Sequence, residues 1–170
     1  MDMDYLSTKC PRLDALFHET VRMTNSATSV RNVVCDTVIN GRTYQAGTKI
    51  LMPYRQLHFN NDVFGVNADL FDHERFLRTK NLNRNPNYKP FGGGSTLCSG
   101  RFIAKREVIA FVALILNRFD LELSRTPDGS EKGGEQSFPR FDYTKPGLGI
   151  MDVKDNDDLV VVLKPRKERR

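Results

Sequence analysis

The stretch Phe91-Gly92-Gly93-Gly94-Ser95-Thr96-Leu97-Cys98-Ser99-Gly100-Arg101 constrains this chain most, because it leads directly into the apolar run from Phe102 to Leu116. Three successive glycines permit backbone with φ > 0 and close approach to a flat partner. The loop ends on one cysteine at the predicted N-terminus of a helix. Unpaired N–H groups and the positive end of the helix dipole there favour the thiolate, the form that binds a soft metal. The Gly-Lys-Ser/Thr ending of a phosphate-binding loop is missing, and no Gly-x-Gly-x-x-Gly can be read. Cys10 and Cys35 stand apart, without a Cys-x-x-Cys or a His pair, which argues against zinc. The residues themselves leave two readings open: a thiolate loop for a metal, or a tight turn capping a buried helix.

Composition adds bounds. At 170 residues, with 39% hydrophobic and 28% charged, the chain can build one core, which excludes disorder throughout. Three scattered cysteines argue against a disulfide framework, and the run Val108 to Leu116 is too short to span a bilayer. The opening Met1-Asp2-Met3-Asp4 is acidic, unlike a targeting segment, so the chain is expected to be soluble and reduced. Much of the net charge of +5 sits in the basic tail 164–170, which reads as solvated. The aromatics do not alternate with basic residues, so no nucleic-acid partner is expected.

Along the chain, Pro11 suits a first helical turn, and Leu13, Leu16, Phe17 and Thr20 recur at helical spacing as far as Met23, predicting one buried stripe. Glu19 and Arg22 are neighbours on that helix, a spacing at which most ion pairs are solvated. Ser29 to Val34 and Thr37 to Ile39 read as strands. Asn40-Gly41 forms a type I′ turn before Thr43-Tyr44, Ala46-Gly47 a second turn, and Lys49 to Pro53 a further strand. Asn81 to Pro90 is a polar loop. From Phe102 to Leu116 the helix is apolar on most sides and is expected to be buried, with Arg101, Lys105 and Arg106 on its early polar face. Ser124 to Gln136 reads as a linker and Leu159 to Leu163 as a buried closing strand. The expected class is α+β.

The spacing of Phe91, Gly94, Cys98 and Gly100, with Ala104 one turn on, resembles the haem-binding loop of cytochromes P450. Leu13 to Met23 resembles that family's helix K with its Glu-x-x-Arg pair, and Leu70 to Leu77 resembles the segment that supplies a second arginine, here Arg75. The resemblance implies a structural triad of Glu19, Arg22 and Arg75, in which a carboxylate between two guanidiniums makes burial tolerable. It implies haem b as cofactor, with Cys98 as axial ligand of the iron and Phe91, Gly94 and Gly100 shaping the loop. Arg31 would hold a propionate. Leu57 to Asp62, followed by Phe64, resembles the family's short helix carrying His or Arg before an aspartate, which would turn His58 toward a propionate as well. Ser26, Ala27 and Thr28 would line the substrate pocket, joined by Leu148 and Ile150 from a last hairpin. Two positions depart from the pattern. His73 stands where proline is usual, and Thr96 stands where Arg or His commonly pairs with a propionate. A hydroxyl supplies no charge, so neutralisation falls on Arg31 and His58. Groups with an atypical haem loop, among them those that resemble sterol 7-hydroxylases and prostacyclin synthase, share the second departure.

By this resemblance residues 1–170 form a single C-terminal portion of a P450 domain. The implied function is that of a haem-thiolate monooxygenase, which inserts one oxygen atom from O2 into a small apolar substrate. A flavin reductase would supply electrons through the basic face at Arg101, Lys105 and Arg106. A complete relative carries most of its helices before this region, a membrane anchor that places eukaryotic members at the endoplasmic reticulum, and a central helix with an acid and a threonine for proton delivery. None of these is read in the chain, so no catalytic residue is assigned. The alternative is a truncated, inactive remnant or haem-binding fragment. Isomerisation of a peroxide is not separable from hydroxylation on these residues, and secondary metabolism is the expected setting.

Overall fold

A computed structural model describes residues 2–123, 139–144, 149–155 and 157–166. The chain opens with a helix that the sequence reading lacks, α1 (Met3–Lys9), whose first N–H groups are capped by the Asp2 carboxylate through Asp4 N at 2.9 Å and Tyr5 N at 3.0 Å. α2 (Pro11–Thr24) starts on proline, as expected. Its buried face differs from the predicted stripe. Leu16 and Thr20 are exposed, while Ala15, Phe17, Glu19, Arg22 and Met23 are buried, so the face is centred on the charged pair. Apolar periodicity locates a buried face only where the burial is apolar.

The small antiparallel sheet forms as two ladders, one nested within the other. β1 (Thr28–Asn32) pairs with β4 (Lys49–Pro53), placing Arg31 opposite Ile50, and β2 (Thr37–Ile39) pairs with β3 (Arg42–Tyr44). Asn40 and Gly41 join the inner pair with φ of 48° and 77°, the two left-handed residues a type I′ turn requires. The outer ladder ends at Asn32, short of the predicted Val34, yet Val33 still exchanges backbone bonds with Thr48 and Gly47 at 2.9 and 2.8 Å.

Three short helices follow: α3 (Tyr54–His58), α4 (Asn61–Phe64) and α5 (Arg75–Arg78). They enclose a cluster of Phe64, Ala68, Leu82 and Tyr88, with Val21 of α2 and Phe76 of α5 packed against it. The glycine-rich loop then leads into α6 (Arg101–Arg118), which packs on α2 and α1. The expectation that α6 is buried is not met within this chain. Ile109 is buried, but Phe102, Ile103, Val108, Phe111, Leu114 and Leu116 lie exposed, because the described elements cover one side of the helix.

α6 runs on into β5 (Phe119–Leu123), which pairs with β6 (Val161–Pro165). β6 is exposed along its length rather than buried, because the described elements leave the faces of this two-stranded ribbon uncovered. The predicted linker at 124–136 lies outside the described residues. The last hairpin brings 140–142 against 152–154, with Asp142 N–H donating to Asp152 O at 2.9 Å and Lys154 N–H to Arg140 O at 2.8 Å.

Candidate functional site

Glu19 and Arg22 are fully buried, and Arg75 is 4% exposed. Arg22 Nε and Nη2 donate in parallel to Glu19 Oε2 and Oε1, each at 2.8 Å, and Arg75 Nε donates to Oε1 at 3.2 Å. The remaining guanidinium donors are also used. Arg22 Nη1 reaches His58 O at 2.8 Å and Ala68 O at 2.7 Å, and Arg75 Nη2 reaches Asn67 O at 2.8 Å and Leu70 O at 3.0 Å. Removing such ions from water costs several kcal/mol each, and that cost is met where every donor and lone pair finds a partner. The triad therefore staples α2 to the irregular segment 58–75.

Asp72 completes this arrangement, and the sequence reading missed it. Its N–H donates to Glu19 Oε1 at 2.9 Å, while its Oδ1 accepts from Glu74 N–H at 3.1 Å. An Asx turn of this kind fixes the chain where proline is absent at His73, whose exposed side chain lies 3.8 Å from Glu74 Oε1. The legible signal was Asp two residues ahead of Glu74, just before Arg75.

His58 does not face a ligand surface, which corrects the expectation for it. It is fully buried, and both ring nitrogens are taken: Nδ1 lies 3.2 Å from Arg22 O, and Nε2 accepts from Lys89 N–H at 2.8 Å. Burial lowers its pKa to about 4 against the opposing hydrogen bond to Arg22 O, with the Arg22 and Arg55 charges adding to the lowering. A neutral ring with both nitrogens occupied has nothing to offer a carboxylate. His18 is a second imidazole that the reading did not single out. Its Nδ1 is 2.9 Å from the Tyr88 hydroxyl, and burial and the Lys105 charge lower its pKa to about 4 against the opposing pull of Asp14.

The cysteine loop has a closed base and an open top. Cys98 N–H donates to Phe91 O at 3.0 Å and Gly92 N–H to Lys89 O at 3.1 Å, so Phe91 closes the loop through its carbonyl. Gly94 turns at φ 62° with open space where a side chain would stand. Cys98 is exposed on this loop, three residues ahead of α6. Gly100 lies beside the sulfur: a Cβ there would stand 3.7 Å from Cys98 Sγ. Arg101 Nη1 donates to Cys98 O at 2.8 Å. Arg31, on β1, reaches the same loop. Its Nη2 donates to Thr96 Oγ1 at 2.6 Å and its Nη1 to Ser29 Oγ at 2.7 Å, which brings a cation to the residue where the loop itself lacks one.

The segment after α2 meets the last hairpin. Ser26 N–H donates to Gly149 O at 2.8 Å, Met151 N–H donates to Thr24 O at 2.8 Å, and Asn25 pairs with Ile150 as an antiparallel bridge. Ser26 and Ala27 are partly buried, while Thr28 and Ile150 are exposed; Leu148 lies outside the described residues. Asn25 Nδ2 also donates to Pro90 O at 2.7 Å, tying this segment to the entry of the cysteine loop.

The basic face of α6 is partly committed within the chain. Lys105 turns inward to an ion pair with Asp14 and lies 3.4 Å from His18 Nε2, and Arg106 pairs with Asp4 at 3.4 Å. Arg101 lies over the Phe102 ring at 4.1 Å. Pairings between residues so far apart in sequence leave no mark in a single sequence.

The chain as a whole is similar to known proteins. The family model for cytochrome P450 matches residues 5–139, and the chain belongs to the cytochrome P450 family. It is 36% identical over 126 residues to the cytochrome P450 monooxygenase poxD of Penicillium oxalicum, a match covering 70% of this chain and 26% of that protein. It is 29% identical over 157 residues to prostacyclin synthase of Bos taurus, covering 83% of this chain and 30% of the relative. In structure, the retinoic acid-bound cyanobacterial CYP120A1 superposes with a TM-score of 0.73 at 25% identity, over 98% of this chain and 35% of that one. The fold is thus the C-terminal part of the P450 fold, and the chain spans about a quarter of the length of curated relatives such as poxD. No described helix is long and apolar enough to cross a membrane.

Proposed function

We propose that this chain is the haem-thiolate portion of a monooxygenase, with Cys98 as the axial ligand of haem b. The donor set fits that group. One exposed thiol stands on a loop with open space beside it, and no cluster of three or more His, Cys, Asp and Glu suited to a bare metal ion occurs among the described residues. The observation that carries the reading is the bond from Arg31 to Thr96, two residues from Cys98, which aims a guanidinium at the margin of the loop where a propionate needs one.

Bound through a thiolate, haem supplies activation of O2 and insertion of one oxygen atom into a substrate. The chain's own residues do the rest. Cys98 would hold the iron through its sulfur, and its N–H, spent on Phe91 O, fixes the loop from below. Phe91, Gly94 and Gly100 leave a flat group room to approach. Arg31 would neutralise a propionate, and Thr96 holds Arg31 in place. Ser26, Ala27, Thr28 and Ile150 gather beside one another to meet a small apolar substrate. Arg101, whose guanidinium lies beside the Cys98 carbonyl, offers a positive surface to a flavin reductase as electron donor.

An absorbance spectrum of the chain with added haem, reduced and exposed to carbon monoxide, tests this reading. The expected result is a strongly red-shifted thiolate Soret band that disappears in Cys98→Ala. Arg31→Gln should keep the band but weaken haem affinity roughly tenfold or more, the loss of one charge-assisted bond. A wild-type spectrum without the thiolate band, or one unchanged by Cys98→Ala, overturns it.

A further inference from the structure

Arg22 and His58 are locked to each other in both directions. The Arg22 guanidinium donates to the His58 carbonyl at 2.8 Å, and the His58 ring meets the Arg22 carbonyl at 3.2 Å. The far side of the same ring accepts from Lys89 N–H at 2.8 Å. A backbone N–H can only donate, so Nε2 must carry the lone pair and Nδ1 the proton, which it donates to Arg22 O. Lys89 opens the cysteine loop: its carbonyl takes Gly92 N–H at 3.1 Å, and Phe91 O takes Cys98 N–H at 3.0 Å. The next residue, Pro90, is held by Asn25 at 2.7 Å. An unbroken line of bonds thus runs from the buried triad through one imidazole to the loop that bears Cys98.

We propose that His58 is a positioning residue that transmits the register of the Glu19–Arg22–Arg75 cluster to the cysteine loop, through a donor on one side of its ring and an acceptor on the other. Its two bonds do separate work. The Nδ1 bond seats the ring on α2, and the Nε2 bond fixes where the cysteine loop begins. For the loop's order this stands on geometry alone; for the thiolate ligand it rests on the reading of Cys98 given above.

The two bonds can be dissected because the amide of asparagine reaches the position of Nδ1, whereas that of glutamine reaches the position of Nε2. Amide hydrogen exchange in the full chain at neutral pH reads the result. His58→Gln should keep Lys89 N–H protected within a factor of a few, and His58→Asn should speed its exchange at least tenfold. Asp72 N–H, bonded to Glu19, should stay protected in both and reports that the triad remains folded. With haem and carbon monoxide, the thiolate band should persist in the Gln variant and weaken in the Asn variant. Equal exchange at Lys89 in the two variants overturns the proposal, because a ring that merely filled space would not distinguish them. If neither variant folds, scalar coupling across the bond between Lys89 nitrogen and His58 Nε2 in the wild-type chain decides instead, and its absence overturns the proposal. If wild type shows no thiolate band while Lys89 follows the expected pattern, the Cys98 reading fails and the role of His58 stands.

Discussion

Glu19 accepts from Arg22, Arg75 and the Asp72 N–H in a space closed to solvent, so its charge is what makes two buried guanidiniums tolerable. Glu19→Gln would leave those cations uncompensated. The expected loss is about 3–5 kcal/mol, read as a fall in the urea midpoint with little change in slope. Arg75 is identifiable in sequence through its resemblance to a known pattern, and its Nε lies 3.2 Å from Glu19 Oε1. His58 is a buried core group, whereas the resemblance implies a propionate partner. A histidine near an aspartate reads equally well as a surface ligand or a core group, and total burial between Arg22 and Lys89 is a fact of three dimensions.

At the scale of the element, α6 shows how a pattern and its environment differ. Its sequence is apolar on most sides, but the described neighbours cover one side, at Ile109. Ile109→Ala should cost about 2–5 kcal/mol by removing a packed side chain. Phe111→Ser, on the open side, should change stability by about 0.5 kcal/mol or less while reducing self-association in sedimentation, because the exposed ring is 66% accessible. Equal destabilisation by both substitutions would show that the open face is covered in solution. The hairpin at Asn40-Gly41 is the opposite case. Its turn chemistry is local, and the structure follows it at the turn and at β2, while β3 opens one residue earlier than expected, at Arg42.

Over the whole molecule, buried imidazoles set an acid limit on stability. His58 faces Arg22 and Arg55, and His18 faces Asp14, Lys105 and Tyr88; both are held neutral to a pKa of about 4. The unfolded chain takes up these protons near 6.5, so it binds more protons than the folded chain between the two values. Stability is therefore full above about pH 6.5 and falls as pH drops toward 4, by about 3 kcal/mol for His58. Urea midpoints measured across that window should decline with acidification, and replacing His18 with Gln should flatten the profile. A midpoint that is constant from pH 6.5 to 4 would contradict the burial of both rings.

The sequence by itself determined what is local or carried by spacing: the helix opened by Pro11, the Asn-Gly hairpin, and the glycine-rich turn that presents Cys98 ahead of α6. It also contained every residue of the triad. Only the tertiary structure decided which side chains are withdrawn from water and by whom. Lys105 turned inward to Asp14, Asp72 took over the turn at His73, Arg31 reached Thr96, and His58 joined Arg22 to Lys89. The physical reason is that burial makes a charge or an imidazole depend on partners far away in sequence, whereas turns and caps are satisfied within a few residues.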